Sequence, residues 1–166
     1  MPDSLQLPAW VVDTGVLIDL HAGGLLKAVF QLLLFLLAPD VLVAELQQPD
    51  GNLLLDYGLA RIELSGAEVQ EVYRLVALYQ GPSVNDLFAL ALAKTLGASL
   101  LTGDRHLRAA AEQEGVPVYG TLWLLDEMVR LAVVPPRLAA QALERMLEHG
   151  SRLPLNECQE RLERWK

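Results

Sequence analysis

Short apolar runs alternate with helical patterns along residues 10–129 of this chain. The runs at 10–13, 33–37, 60–64, 99–102 and 116–119 have the length and composition of strands. Strands separated by helices pair in parallel, because each connection crosses a face of the sheet. We therefore expect an α/β fold with three layers, α/β/α, around a central, mostly parallel sheet.

Two serines mark the beginnings of helices. Ser65 precedes Glu68 by three residues and Ser83 precedes Asp86 by three, and both spacings are typical of a capping box. Gly97 is predicted to end the second helix. The apolar stripe predicted for the first helix consists of Val69, Val72, Tyr73, Val76 and Tyr79.

After Pro135-Pro136 the pattern is helical only. One stripe contains Leu138, Ala139, Ala142, Leu143, Met146 and Leu147, and a shorter one contains Cys158, Leu162 and Trp165. We predict a C-terminal helical hairpin at 135–166, appended to an α/β domain at 1–134. The stripes either pack back on the body or, if they have little else to bury against, serve a homodimer or a partner helix.

Composition restricts the possible classes of protein. At 166 residues and 52% hydrophobic, the chain can bury a core without disulfides, and Cys158 is its single cysteine. With no signal-like start and an interrupted apolar stretch at 25–38, we expect a cytoplasmic protein without a membrane span.

The net charge of −8 argues against nonspecific attachment to a polyanion. All of that deficit lies in residues 1–104, which carry 4 Lys and Arg and 12 Asp and Glu, whereas residues 105–166 carry 9 of each. Arginines of the second part, such as Arg105, Arg108 and Arg130, are candidates to contact a nucleic-acid backbone; the alternative is a solvated surface.

Four carboxylates lie beside the ends of apolar runs at widely separated points of the chain: Asp13, Glu45, Asp86 and Asp104. The carboxyl ends of parallel strands meet at one edge of a sheet, where ligands bind. Acids gathered there need a counter-charge, and carboxylate oxygens suit Mg²⁺ or Mn²⁺, which in turn bind phosphates. The pattern favours metal-dependent phosphodiester chemistry.

Each acid also has a purely structural explanation. Asp86 would complete a capping box, Asp104 would be the N-cap of the following helix, and Glu45 would be an exposed residue of a short helix. Asp13 is the hardest to explain in this way, because an acid between WVV and GVLI is costly to bury without a partner.

At these residues the sequence resembles the PIN-domain family, from about Trp10 to about Val129. The opening VVDTGVLI is similar to its first strand and first metal-binding aspartate, and LAPDVLVAEL to the segment with its glutamate. SVNDLFALALAKTLGASLLTGDRHL resembles its central signature, an aspartate opening a helix and then a strand closing in Thr-Gly-Asp. The tail resembles the subfamily with a C-terminal helical extension.

The resemblance implies a metal-dependent endoribonuclease, the toxin of a toxin–antitoxin pair, with RNA as substrate and an antitoxin protein as a possible partner. Asp13, Asp86 and Asp104 would bind one or two Mg²⁺ or Mn²⁺ ions, and Glu45 would orient the attacking water, whose pKa the ion lowers. The residues predicted to contact substrate or water are Thr14, Thr102 and Arg105. For both threonines, hydroxyls satisfied by nearby backbone are the alternative.

The chain departs from the family pattern at two points. Gly15 stands where a polar residue is common, and His106 lies near the position of a further acid, which puts a second metal in question. An aspartic protease, suggested by Asp13-Thr14-Gly15, is disfavoured by the helical patterns. The main alternative is a catalytically silent PIN-like binding module that acts through protein–protein contacts of its helical tail.

Overall fold

The structure is a computed structural model that describes residues 8–166. Its five strands are β1 (Ala9–Val12), β2 (Phe35–Pro39), β3 (Ala60–Ile62), β4 (Ser99–Leu101) and β5 (Val118–Tyr119). The helices of the first half are α1 (Thr14–Ala22), α2 (Leu26–Val29), α3 (Asp40–Glu45), α4 (Gly51–Tyr57) and α5 (Gly66–Leu78). Those of the second half are α6 (Val84–Leu96), α7 (Arg105–Gln113), α8 (Thr121–Arg130), α9 (Pro136–Glu148) and α10 (Leu155–Trp165).

All strand pairs of the sheet are parallel, in the order β3-β2-β1-β4-β5. In the centre, Val11 is in register with Leu37 of β2 and Leu100 of β4. The chain builds outward from β1 through β2 to β3, and then crosses to β4 and β5 on the other side. The change of direction falls between β1 and β4, which is where an open parallel sheet offers a ligand-binding crevice.

Helices cover both faces of the sheet, because strand side chains alternate between the two. Trp10 and Val12 pack into a core with α1, α2, α8 and the C-terminal helices. Val11 and Leu100 pack on the opposite face, in a core formed with α5, α6 and α7. The three-layer α/β/α architecture predicted from the sequence is confirmed.

The C-terminal hairpin packs against the α1 side of the sheet. Met146 of α9 lies so close to Gly23, at the end of α1, that a Cβ built there would be 2.6 Å from its Cε. Cys158 and Trp165 of α10 are buried in the same core. The premise that the tail has little else to bury against is therefore wrong, whereas a domain boundary near residue 134 stays a prediction.

Some local predictions fail. Ser65 precedes α5, but its hydroxyl donates to the Glu68 carboxylate and does not cap the backbone, so no capping box forms. Tyr73 and Val76 of the predicted stripe are exposed, and Leu75 is buried in their place. In α9, Leu138 is likewise exposed. No helix in the described part of the chain is both apolar and long enough to cross a bilayer.

Candidate functional site

Two of the predicted acids follow neighbouring strands at the switch point of the sheet. Asp13 comes directly after β1 and is the N-cap of α1, and Asp104 follows β4 and is the N-cap of α7. The backbone N–H of Asp13 donates to the carbonyl of Leu101 at 2.9 Å, so the pairing of β1 with β4 continues to this point. Asp13 is only 6% exposed. The β1–β4 pairing thus brings both acids to the edge of the sheet.

Thr102 joins these two acids. Its Oγ1 donates to Oδ2 of Asp13 at 2.8 Å and accepts from the backbone N–H of Asp104 at 3.0 Å. The residue is completely buried. Its hydroxyl therefore orients Asp13 and the start of the following loop, a positional role distinct from the predicted contact with substrate.

The other two acids come from helices on the same side of the chain's switch point. Asp86 lies in the first turn of α6 and forms a true capping box with Ser83: its Oδ2 accepts from the Ser83 backbone at 2.9 Å, and the Ser83 hydroxyl accepts in return. Glu45, the last residue of α3, is exposed, and its Oε1 accepts from Nδ2 of Asn85 at 2.6 Å. Glu45 is thereby held beside the first turn of α6.

The electrostatics of this group centre on Asp13, whose pKa is raised to about 6. Burial is the largest cause, followed by the negative charge of Asp86 and, more weakly, that of Asp104; the Thr102 hydroxyl and the Thr14 backbone oppose the shift. Within residues 8–166, none of the ion pairs involves these acids. Asp13 thus lies buried near like charges without a protein cation.

The donor atoms of this group suit a hard divalent cation, because all of them are carboxylate oxygens. Asp86 and Asp104 each use one oxygen to cap a helix, while Oδ1 of Asp86 and Oδ2 of Asp104 accept no hydrogen bond from the described residues. Even so, within 8–166 no three His, Cys, Asp or Glu side chains stand close enough together to hold one ion. The chemistry of the donors fits a metal, but the side chains do not form a closed ligand set.

The remaining predicted residues surround this group. Thr14 is the first residue of α1 and is half-buried, and Arg105 is the exposed first residue of α7. His106 packs its ring against Gly81, where an added Cβ would lie 2.7 Å from Nδ1. Arg130 is paired with Glu127 at 2.7 Å on the surface of α8.

Two polar residues near the site escaped the sequence interpretation. Asn85 is the partner of Glu45, and its place in the first turn of α6, beside Asp86, was the available signal. Asp19 of α1 accepts from the hydroxyls of Thr121 at 3.2 Å and Ser151 at 2.6 Å, and burial raises its pKa. Nothing in the local sequence marks these partners, because they lie more than a hundred residues away.

Comparison with known sequences agrees with this architecture. A search of curated proteins finds no match. A family model described as a PIN domain matches residues 9–166, which include the C-terminal hairpin as well as the α/β body. The chain belongs to the PIN-domain family.

Proposed function

We propose that this protein is an endoribonuclease that depends on Mg²⁺ or Mn²⁺. PIN domains are generally nucleases and typically bind divalent metals, so the fold is a nuclease fold. The finer assignment concerns the residues. Asp13, Asp86 and Asp104 would bind the ion, and Glu45 would orient the water that attacks phosphorus.

One observation carries the proposal: Asp13 is buried beside two other acids, with no cation from the described residues to balance them. Its pKa of about 6 means that the ionised form is disfavoured in the absence of another positive charge. A divalent cation would supply that charge with the oxygen ligands it prefers. A carboxylate with only a structural role would more economically be an asparagine or be paired.

The chain's own residues would divide the work of hydrolysis. Thr102 keeps the Asp13 carboxylate in one orientation through the 2.8 Å hydrogen bond. Asn85 holds Glu45, whose second oxygen is available to accept a proton from water. A bound ion would polarise the phosphate and lower the pKa of water, so the protein needs no covalent nucleophile.

The test is cleavage of a fluorescent single-stranded RNA by the full chain in Mn²⁺, in Mg²⁺ and in EDTA. Asp13→Asn and Asp86→Asn should each reduce the rate about 10²-fold or more, since each removes charge that stabilises the transition state. Asp56→Asn, at an exposed position in α4, is the matched control and should retain full activity. Equal rates for Asp56→Asn and Asp13→Asn would refute the assignment.

A second candidate, a catalytically silent PIN-like module, is favoured by one fact. The carboxylates of Asp86 and Asp104 already accept hydrogen bonds as helix caps, at 2.9 and 2.8 Å, and so have a complete structural role. This candidate predicts no metal-dependent cleavage and a lower stability for Asp86→Asn. The first candidate predicts loss of cleavage with the fold retained.

The toxin role, an antitoxin partner, a homodimer and a cytoplasmic location stay predictions. The burial of Cys158 and Trp165 within the chain's own core leaves less of the hairpin for a partner than the sequence suggested. Sedimentation of the full chain tests the homodimer directly. A monomer at the concentrations used for the RNA assay would refute it.

A further inference from the structure

A groove adjoins the acidic group on its β5 side. Thr102, which holds Asp13, forms part of its wall, and α7, the start of α8 and the segment between α9 and α10 form the rest. Its volume is about 630 Å³. We call it the arginine groove, after three residues that line it: Arg105, Arg108 and Arg152. It begins where the proposed catalytic group ends.

The three arginines stand out in an acidic protein. Six of the thirteen Lys and Arg residues form ion pairs with carboxylates, and the other seven form none with residues 8–166. Three of those seven line this one groove. Arg161 and Glu157 also line it, but the Arg161 guanidinium is bound by both oxygens of Asp126, at 3.0 and 2.7 Å. The groove therefore offers three cations that no described carboxylate neutralises.

Local structure directs two of these arginines into the groove. Gly120 has no side chain, and a Cβ built there would lie 3.3 Å from Nη2 of Arg108, so the absence of a side chain makes room for the guanidinium. Arg152 follows Ser151, whose hydroxyl donates to Asp19 of α1 at 2.6 Å. That bond fixes the loop between α9 and α10 against the body of the domain.

Aromatic rings form another part of the wall. Tyr119 and Trp123 line the groove, and Trp123 stacks on Trp10 with ring centroids 4.9 Å apart, which holds it rigidly. Fixed aromatic surface beside cations matches unpaired nucleotides, which expose both a base and a phosphate. A duplex would present its phosphates and sugar edges while its bases stay stacked and paired.

We propose that the arginine groove binds single-stranded RNA next to the cleavage position, with Arg105, Arg108 and Arg152 on phosphates and Tyr119 and Trp123 beside an unstacked base. The inference rests on the proposed function, because it takes RNA as the substrate. It adds that the C-terminal hairpin, through Arg152, helps to form the substrate site. It also predicts that duplex RNA is a poor ligand.

The test is fluorescence anisotropy with a labelled RNA of about 12 nucleotides, single-stranded or annealed to its complement, in EDTA so that no metal-dependent cleavage occurs. Each of Arg105→Gln, Arg108→Gln and Arg152→Gln should weaken single-strand binding several-fold and reduce the log–log salt slope by about 0.7. Arg137→Gln is the control: it removes the same charge from an exposed residue of α9 outside the groove. Equal affinities for this control and the groove variants, or equal binding of duplex and single strand, would overturn the proposal.

The same variants separate this proposal from the nuclease proposal. If Mn²⁺ produces no cleavage but the wild type binds single strands and the groove variants do not, the groove stands and the nuclease assignment fails. If cleavage is metal-dependent and all three groove variants keep the wild-type kcat and KM, the nuclease assignment stands and the groove fails. Circular dichroism melts of each variant exclude misfolding as the cause of lost binding.

Discussion

Two groups of carboxylates in this protein differ in the cations around them. In the first, at the β1–β4 edge, Asp13 lies near Asp86 and Asp104 with no described cation paired to any of them. In the second, where α5, α6 and the end of α7 meet, Nζ of Lys94 lies 2.8 Å from a carboxylate oxygen of Glu71 and 2.8 Å from one of Glu114. The first group lacks counter-charge and the second is fully compensated.

The pKa values of the two groups move in opposite directions. Hydrogen bonds from Arg74 and then Lys94 lower the pKa of Glu71 to about 2, and those from Lys94 and Tyr79 lower that of Glu114 to about 2. Burial and neighbouring charge raise that of Asp13 to about 6. The second group stabilises the fold, whereas the first costs free energy that only an external cation offsets, which is why we assign function to the first.

The largest expected effect comes from removing the charge of Asp13. Above about pH 6 the folded state carries a carboxylate whose raised pKa costs up to about 3 kcal/mol, so Asp13→Asn should stabilise the metal-free protein by up to that amount at about pH 7.5. Below 3.8 the carboxyl is neutral in both the folded and the unfolded state, so the difference should disappear toward that pH. Urea unfolding in EDTA at several pH values measures it. A variant less stable than wild type throughout would contradict the comparison.

The second group should respond in the opposite sense. Lys94→Met leaves Glu71 and Glu114 without their shared ammonium and should lower the free energy of unfolding by about 2 kcal/mol, with RNA cleavage unchanged. Lys27→Met, at an exposed lysine of α2, is the control and should be neutral. Urea midpoints of the three proteins at neutral pH decide between these outcomes.

The pH dependence of the same variants gives a further check. Because the folded pKa values of Glu71 and Glu114 are lowered from 4.5 to about 2, their stabilisation is complete above 4.5 and is lost as the pH falls toward 2. Lys94→Met should lose less stability over that interval than wild type. An identical acid dependence in both proteins would show that Lys94 is not the cause of the lowered pKa values.

The smallest expected effect is stabilisation by metal. An ion at ten times its Kd should add about 1.4 kcal/mol to the free energy of unfolding, seen as a higher Tm in Mn²⁺ than in EDTA. Lys94→Met should keep this increase and Asp13→Asn should lose it. An equal increase in Asp13→Asn would mean that Mn²⁺ binds elsewhere.

Much of the fold could be predicted from local patterns. The ends of α6 follow from Ser83, Asp86 and Gly97, because a capping box and a left-handed glycine at φ +62° act within one turn of the backbone. The pattern of α5 was misread because Tyr73 is compatible with a helical stripe yet is 73% exposed. Helix α4 was not predicted, although Asp50 caps it and Gly58 follows it in the left-handed conformation.

The candidate site was predictable in its residue types and less so in its contacts. An acid directly after an apolar run suffices to suggest Asp13 and Asp104, since strand ends lie at a sheet edge. The Thr102 bond to Asp13 joins residues 89 positions apart, and the Asn85 bond to Glu45 joins residues 40 apart. Such partners depend on strand order and helix placement, which periodicity does not encode.

Helix and strand identities, the PIN-type order of acids and the shortage of positive charge before residue 105 can all be read from the chain, because they depend on neighbouring residues and simple counts. The burial of Asp13 between β1 and β4, the packing of the hairpin on α1 and the gathering of Arg105, Arg108 and Arg152 around one groove depend on folding. Each requires segments far apart in sequence to meet, and long-range packing selects which of them do.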